Sequence, residues 1–358
     1  MVLGKKSNEM ITLIQELRKT GGSVALYGAS DAGRNYVSVL CAYHIPIACF
    51  VDDDVKKQGN TYCGIKVISL DEFVEHRRGN EVILIASYSP SVIIRKLKET
   101  YPFLYESVRW SDFYLWENEL DYLQYYTENM DRIDRVKELL CDERSVHVFE
   151  NLLNYKISRN RKLIEEIRDN VEEQYFTSDI MSFTDREVFL DLGAYTGDTV
   201  HSFCQAVGGR YKQIIAVEPD EANYKQLKAN TEGLDKIEYY QAGAAEKDGT
   251  ARFMAQALYT SHFDEEGEQE IKVRSVDSIM GGRELTFIKA DIEGLEMEML
   301  KGAADSIRAF KPKLAIAVYH KKDDILNIPL LIQSYRDDYR FYMRHYTEMP
   351  IDTVLYAI

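Results

Sequence analysis

Twice along this chain a short β-branched run breaks at a glycine turn and gives way to helical spacing. The first instance is VALYGASDAGRNYVSVL followed by PIACFVDDD; the second is VFLDLGAYTGDTVHSFC followed by IIAVEPDEANYKQLKAN. A strand, a glycine turn, a helix and a second strand ending in acid make a β–α–β unit of a parallel sheet.

Around the first unit, IKVI and EVILIAS read as further strands, and LDEFVEHRR and PSVIIRKLKETY as amphipathic helices. Residues 1–115 therefore form a small open α/β domain. From about Asp112 to Arg186 strand signals vanish, and apolar residues recur at three- and four-residue spacing without Gly or Pro in DFYLWENELDYLQYYTENMDRIDRVKELLCDERSVHVFENLLNYK. Residues 116–186 read as a helical bridge, since a flexible linker would be rich in Gly, Ser or Pro. From 187 to 358 the alternation resumes: KIEYYQ, ARFMA, LTFIKAD and KLAIAVYH are strands, and EGLEMEMLKGAADSIRA is a helix. NIPLLIQSYRDDY is a helix with Pro in its first turn, FDEEGEQE a solvated connection, and RFYMRHY and TVLYAI an antiparallel pair closing the sheet.

Composition narrows the classes. A chain of 358 residues suits about two domains. The 44 Lys and Arg against 59 Asp and Glu leave a net charge of −15, which repels phosphate backbones and argues against a nucleic-acid partner. The five cysteines contain no C-x-x-C pair, which argues against a disulfide framework or zinc cluster and for a reducing cytoplasm. No apolar run reaches the roughly 20 residues of a membrane span, and the charged N-terminus reads as an amphipathic helix rather than a secretory signal. Nothing in the pattern sets an oligomeric state.

The second glycine turn carries the chemistry. Asp191 sits at the strand tip; Gly193, Ala194, Tyr195, Thr196 and Gly197 form the loop; a helix opens after Gly197 with free N–H groups. Glu218 ends the next strand, 25 residues after Gly193, where a carboxylate can accept hydrogen bonds from both ribose hydroxyls of an adenosine. A dinucleotide turn would carry a middle glycine to clear space for pyrophosphate; here Tyr195 and Thr196 crowd that place. Asp191 would repel pyrophosphate and favour an ammonium. S-adenosylmethionine, with its adenosine, sulfonium and amino-acid tail, suits these groups better, with Pro219 and Ala242 grouped beside them. Further on, TFIKADIEGLEMEMLKGA places Lys289, Asp291, Glu293 and Glu296 about the end of one strand, and KPKLAIAVYHKKDD puts His320 at the end of the next. Ligands of open α/β sheets bind at such strand ends, where Asp191, Glu218, Asp291 and His320 would converge.

The strings FLDLGAYTGDT, IIAVEPDEANY, FIKADIEGLEMEMLKGA and PKLAIAVYHKKDD resemble the FkbM-family methyltransferases, from about Val188 to the C-terminus. The resemblance implies a class I methyltransferase fold, with a seven-stranded, mostly parallel sheet and an antiparallel C-terminal strand. It also implies transfer of a methyl group from S-adenosylmethionine to a hydroxyl of a sugar, polysaccharide or secondary metabolite. His320 is then the first candidate for general base, with a structural role the alternative. Asp291 would orient the imidazole, hold the cofactor or bind the acceptor. Lys289, Glu293 and Glu296 would touch the acceptor or support the groups that do; for Glu296 the attraction of a helix start for carboxylates explains its place as well. A divalent metal on Asp291, Glu293 and His320 is chemically open, but D-x-E spacing is common and no metal is assigned.

The first turn, with Gly28, Ser30 and Gly33 and with Asp52 and Asp53 at the end of the following strand, is a degenerate dinucleotide fingerprint. With FVDDDVKKQGNTYCGIKVISLDEF it resembles the nucleotide-binding-like, Rossmann-like domain of sugar-modifying acyltransferases, which implies a nucleotide or sugar nucleotide there. An empty or acceptor-binding role is favoured. The rival readings are an NAD-linked oxidoreductase acting through this turn and a non-catalytic sensor or scaffold.

Overall fold

In the computed structural model each of the two glycine-turn units lies at the middle of its own sheet, and residues 9–87, 90–109, 122–254, 262–263, 269–347 and 349–358 are described. Two compact units result: one comprises Met1–Glu128, Glu150–Arg168 and Glu348–Pro350, the other Asn129–Phe149, Asp169–Thr347 and Ile351–Ile358.

The first unit runs α1 (Glu9–Thr20), β1 (Ser23–Tyr27), α2 (Asp31–Ala42), β2 (Ile47–Val51), β3 (Thr61–Tyr62), β4 (Ile65–Ile68), α3 (Leu70–His76), β5 (Glu81–Ile85), α4 (Pro90–Thr100) and β6 (Val108–Arg109). Its sheet has the order β3-β4-β2-β1-β5-β6, parallel except for β3. Alternate residues feed two cores: Val24, Leu26, Phe50 and Leu84 pack on one face, Ala25, Tyr27, Val51 and Ile83 on the other. Burial on both faces explains why these strands are continuous apolar runs.

In the sequence between the sheets lie α5 (Tyr122–Glu128), α6 (Met130–Leu139), α7 (Glu143–Ser158) and α8 (Lys162–Glu165), but the expected helical bridge does not reach Arg186: residues 166–186 run as turns and irregular backbone, held by contacts such as the Tyr175 N–H on the Tyr356 hydroxyl. The start of the expected helical bridge, up to residue 121, lies outside the described residues.

The second unit holds β7 (Val188–Leu192), α9 (Asp198–Ala206), β8 (Gln213–Val217), α10 (Glu221–Asn230), β9 (Ile237–Tyr240), β10 (Gly243–Ala244), β11 (Gly249–Met254), β12 (His262–Phe263), β13 (Gln269–Arg274) and α11 (Val276–Met280). It continues with β14 (Phe287–Ala290), α12 (Glu296–Lys301), α13 (Ala304–Phe310), β15 (Lys313–Ala317), α14 (Asp324–Tyr335), β16 (Phe341–His345) and β17 (Thr353–Ala357). Seven strands order as β16-β17-β15-β14-β7-β8-β9, with β17 antiparallel to both neighbours, as the sequence predicts. The chain leaves β7 towards β8 on one side and returns through β14 on the other. The loops after β7 and β14 therefore open at the switch point of the sheet, the usual ligand crevice. Phe189 stacks on Phe203 at 4.3 Å and on Phe287 at 4.9 Å, fixing β7, α9 and β14 beneath that crevice.

Three local readings change. The helix expected over EGLEMEMLKGAADSIRA is two, α12 and α13, divided at Gly302, whose Cβ would lie 2.2 Å from the Ala245 carbonyl oxygen. Helix α14 begins at Asp324, so Pro329 lies inside it rather than in its first turn. Asp324 accepts a hydrogen bond from the Lys321 N–H at 2.8 Å and starts the helix early. FDEEGEQE is only partly a loop: Phe263 and Gln269 belong to β12 and β13 of a second, four-stranded sheet, and residues 264–268 lie outside the described residues. Alternation in QEIKVR, read across from GTARFM, was the missed strand signal. No helix among the described residues is long and apolar enough to cross a membrane.

Candidate active site

The loop after β7 is built against β14. Asp191 is fully buried and meets Lys289 directly across the parallel ladder, Nζ to Oδ1 3.1 Å. Lys289 also donates to the Gly193 carbonyl at 2.8 Å and lies 5.3 Å above the Tyr175 ring. Burial alone would lower the Lys289 pKa; the Asp191 and Asp291 carboxylates outweigh it and hold the ammonium above its ordinary value. The cation that Asp191 faces thus belongs to the protein, a partner the strand pattern did not disclose.

Gly193 has φ +75°, and a Cβ there would lie 2.1 Å from the Asp291 carbonyl oxygen. Its small size is required by the chain's own approach between the two loops, not only by a ligand. Gly197 caps α9 with φ +93°, and the first N–H to close the helix is that of His201 on the Gly197 carbonyl, 3.1 Å. The preceding N–H groups of the first turn have no acceptor within the helix. Ala194 is buried, while Tyr195, at φ +46°, is 38% exposed above the loop.

Glu218 follows β8 and is buried. Its Oε2 accepts the Tyr195 N–H and its Oε1 the Asp220 N–H, both at 3.0 Å, so one carboxylate ties the loop to the entry of α10. Burial pushes its pKa up to about 7. Pro219 and the buried Ala242 follow the ends of the adjacent strands β8 and β9.

Beside the loop, Asp291, Glu293, Glu296 and His320 form one cluster. Asp291 Oδ2 accepts from the Tyr175 hydroxyl at 2.6 Å and Oδ1 from the Tyr319 hydroxyl at 3.1 Å. His320 Nε2 lies 3.3 Å from Asp291 and 3.7 Å from Glu293, and Nδ1 2.9 Å from Glu296. Glu296 is fully buried and accepts the Ile292 N–H at 2.9 Å. Gly294 has φ +91°, and a Cβ there would press to 3.2 Å on Lys321, which is why the turn between Glu293 and Leu295 needs glycine.

The surroundings set the charge of two of these groups. Burial would lower the His320 pKa, but Glu296, Asp291 and Glu293 together lift it to about 10, so the ring is an imidazolium near neutrality and donates rather than accepts. Its sequence-based role as a base of ordinary pKa does not follow from these surroundings. Burial would also raise Asp291, yet His320, Lys289 and the two tyrosine hydroxyls hold it below its usual value. Glu296, explained from sequence equally by the helix start, is a buried partner of His320. Tyr175 and Tyr319 were missed. Tyr319 adjoins His320 and could have been suspected from YH at a strand end; Tyr175 lies in a segment with no local signal.

In the first unit Asp52 Oδ2 accepts the Ala29 N–H at 2.8 Å and Oδ1 the Asp54 N–H at 2.9 Å, the same device as at Glu218. Lys57 occupies the carboxylate as well, 3.1 Å from Oδ2. Asp53 is shared by the Tyr27 hydroxyl and Lys96. Ser30 caps α2 through the Gly33 N–H, and a Cβ on Gly28 would lie 2.2 Å from the Ala86 carbonyl oxygen.

Comparison with known proteins agrees with the second unit's architecture. Residues 191–346 match the Methyltransferase FkbM domain, and this part of the chain is an FkbM methyltransferase domain. The protein is accordingly a methyltransferase of the S-adenosylmethionine-dependent class. It is similar over its length to the methyltransferase FkbM of Methylobacillus flagellatus, with 26% identity and a TM-score of 0.76, covering 97% of this chain and 93% of that one. A weaker likeness joins it to fibrillarin of Aeropyrum pernix, with 12% identity and a TM-score of 0.34 over 50% and 70% of the chains, and carries no argument here. No curated protein sequence matches the chain.

Proposed function

We propose that residues 187–358 transfer a methyl group from S-adenosylmethionine to a hydroxyl of a sugar, polysaccharide or secondary metabolite. The observation that carries the reading is the adjacency of two acid-bearing loops at one switch point. One holds Glu218 against the Tyr195 backbone; the other holds Asp291 against His320. The donor set fits the cofactor: Glu218 retains lone pairs for ribose hydroxyls, and the first turn of α9 presents free N–H groups. The bound cofactor supplies an electrophilic methyl carbon on a sulfonium.

The protein's own contribution is to place and deprotonate the acceptor. Asp291, ionised and fixed by two tyrosine hydroxyls, is an acceptor for a substrate O–H. Glu293, with its side chain 43% exposed at the rim of the cluster, is the carboxylate best placed to take the proton. His320 as imidazolium positions both carboxylates. In the first unit the hold of Lys57 on Asp52 supports an empty or acceptor-presenting role over an NAD site. The test is to offer glycans, nucleotide sugars and hydroxylated metabolites with methyl-labelled cofactor and look for label in the acceptor. Labelling confined to amines or nucleic acid would refute the hydroxyl assignment.

A further inference from the structure

Asp291, Glu296 and His320 come from the end of β14, the start of α12 and the loop after β15. One ligand atom from each lies within 4.8 Å of the others. An ion with bonds of about 2.0–2.6 Å sets its ligand atoms about 3–5 Å apart, so the three already have the spacing of one coordination sphere. We infer that they hold a single divalent cation of the Mn²⁺ or Mg²⁺ kind.

Burial supplies the independent observation. Glu296 is fully buried and the His320 side chain is 10% exposed, yet Glu296 Oε2 has no hydrogen-bond partner and the His320 ring nitrogens meet only carboxylates. Buried polar atoms are normally paired, and an orphaned buried carboxylate oxygen beside His320 and Asp291 indicates a missing partner. The charge balance points the same way. Three carboxylates, those of Asp291, Glu293 and Glu296, surround one imidazole, while Lys289 is engaged by Asp191 and the Nζ of Lys321 lies towards Glu298. Without the ion a proton on His320 answers these carboxylates; a divalent ion displaces that proton, binds the neutral imidazole and sets two positive charges where the proton set one. The Tyr175 and Tyr319 hydroxyls brace Asp291, as outer partners brace metal-binding carboxylates. Carboxylates with one imidazole and no thiolate suit Mn²⁺ or Mg²⁺, the imidazole favouring Mn²⁺. The sequence offered Glu293 as the third ligand; the fold brings Glu296 there instead and leaves Glu293 at the rim.

That such an ion draws the acceptor hydroxyl towards the cluster rests on the methyltransferase reading; its binding does not. The full-length protein, stripped with chelator, is titrated with MnCl₂ while the free-Mn²⁺ electron paramagnetic resonance signal is followed. The expected result is uptake of one ion per chain, with nitrogen coupling from one imidazole in the bound spectrum. Uptake should weaken at least about tenfold in Glu296→Gln and His320→Ala and stay unchanged in the surface control Glu284→Gln. A wild-type protein that leaves the free-ion signal intact, or binds without nitrogen coupling, overturns the proposal. So does full uptake by either variant with a native circular dichroism spectrum. The wild-type spectrum decides the matter even where a variant does not fold. Calorimetry with S-adenosylhomocysteine on the same sample reports separately on the cofactor reading.

Discussion

Lys289 and Asp191 face each other on neighbouring parallel strands with Nζ and Oδ1 3.1 Å apart, both out of contact with water. The pair stands directly behind the loop after β7, because Lys289 also holds the Gly193 carbonyl. The expected charge preference of Asp191 is therefore met from within the chain, and this contact has a clear energetic consequence.

Lys289→Met should leave a buried carboxylate unpaired and cost about 3–5 kcal/mol in denaturant unfolding. The double variant Lys289→Met with Asp191→Asn should recover most of that loss. Additive losses in the double variant would show that the two side chains act independently.

On the proposed reading, the pH response of cofactor binding should follow Glu218. Its folded pKa is raised from 4.5 to about 7, so its contribution to stability is fully present below about pH 4.5 and fades as pH rises through about 7. Cofactor affinity moves the opposite way, because the ionised carboxylate is the better acceptor for two hydroxyls. Calorimetric affinity for S-adenosylhomocysteine should rise between about pH 6 and about pH 8. In Glu218→Gln it should be weak and flat across that window.

Gly193→Ala would force a Cβ to 2.1 Å from the Asp291 carbonyl in a left-handed backbone. Separation of the two loops should cost about 1–3 kcal/mol and weaken cofactor binding in the same variant. A crystal structure of the variant would show the loop after β7 displaced from β14; an unmoved loop with normal affinity would contradict the packing argument.

Arg344 is buried in β16, 2.8 Å from Asp142 and 2.6 Å from Asp179. Arg344→Met should lower stability by about 2–3 kcal/mol, less than for a fully buried pair because Asp179 is half exposed. Thermal unfolding measures this, and cofactor affinity should be unchanged where the protein remains folded.

The local grammar of strand, glycine and helix was readable because burial on both faces makes β1 and β5 nearly continuous apolar runs, and β7 and β14 the same but for the paired Asp191 and Lys289. The position of Glu218 followed from the same grammar, since a strand end fixes where its last acid points. What could not be read was partnership across the sheet. Lys289 finds Asp191 only because β14 returns beside β7, and Tyr175 reaches Asp291 from 116 residues away. The protonation of His320 is likewise a product of convergence: one of its three carboxylates lies 24 residues upstream in the sequence and is brought back by α12. Helix breaks at Gly302 and the early start at Asp324 depend on contacts with neighbouring loops, which periodicity does not register.

Whether the loop after β7 and Glu218 hold S-adenosylmethionine is decided by isothermal titration of the wild-type chain beside Glu218→Ala. The predicted result is one bound cofactor per wild-type chain and an affinity at least about tenfold weaker in the variant, the equivalent of about 1.4 kcal/mol. Absence of binding to the wild type, or equal affinity in both proteins, would contradict it.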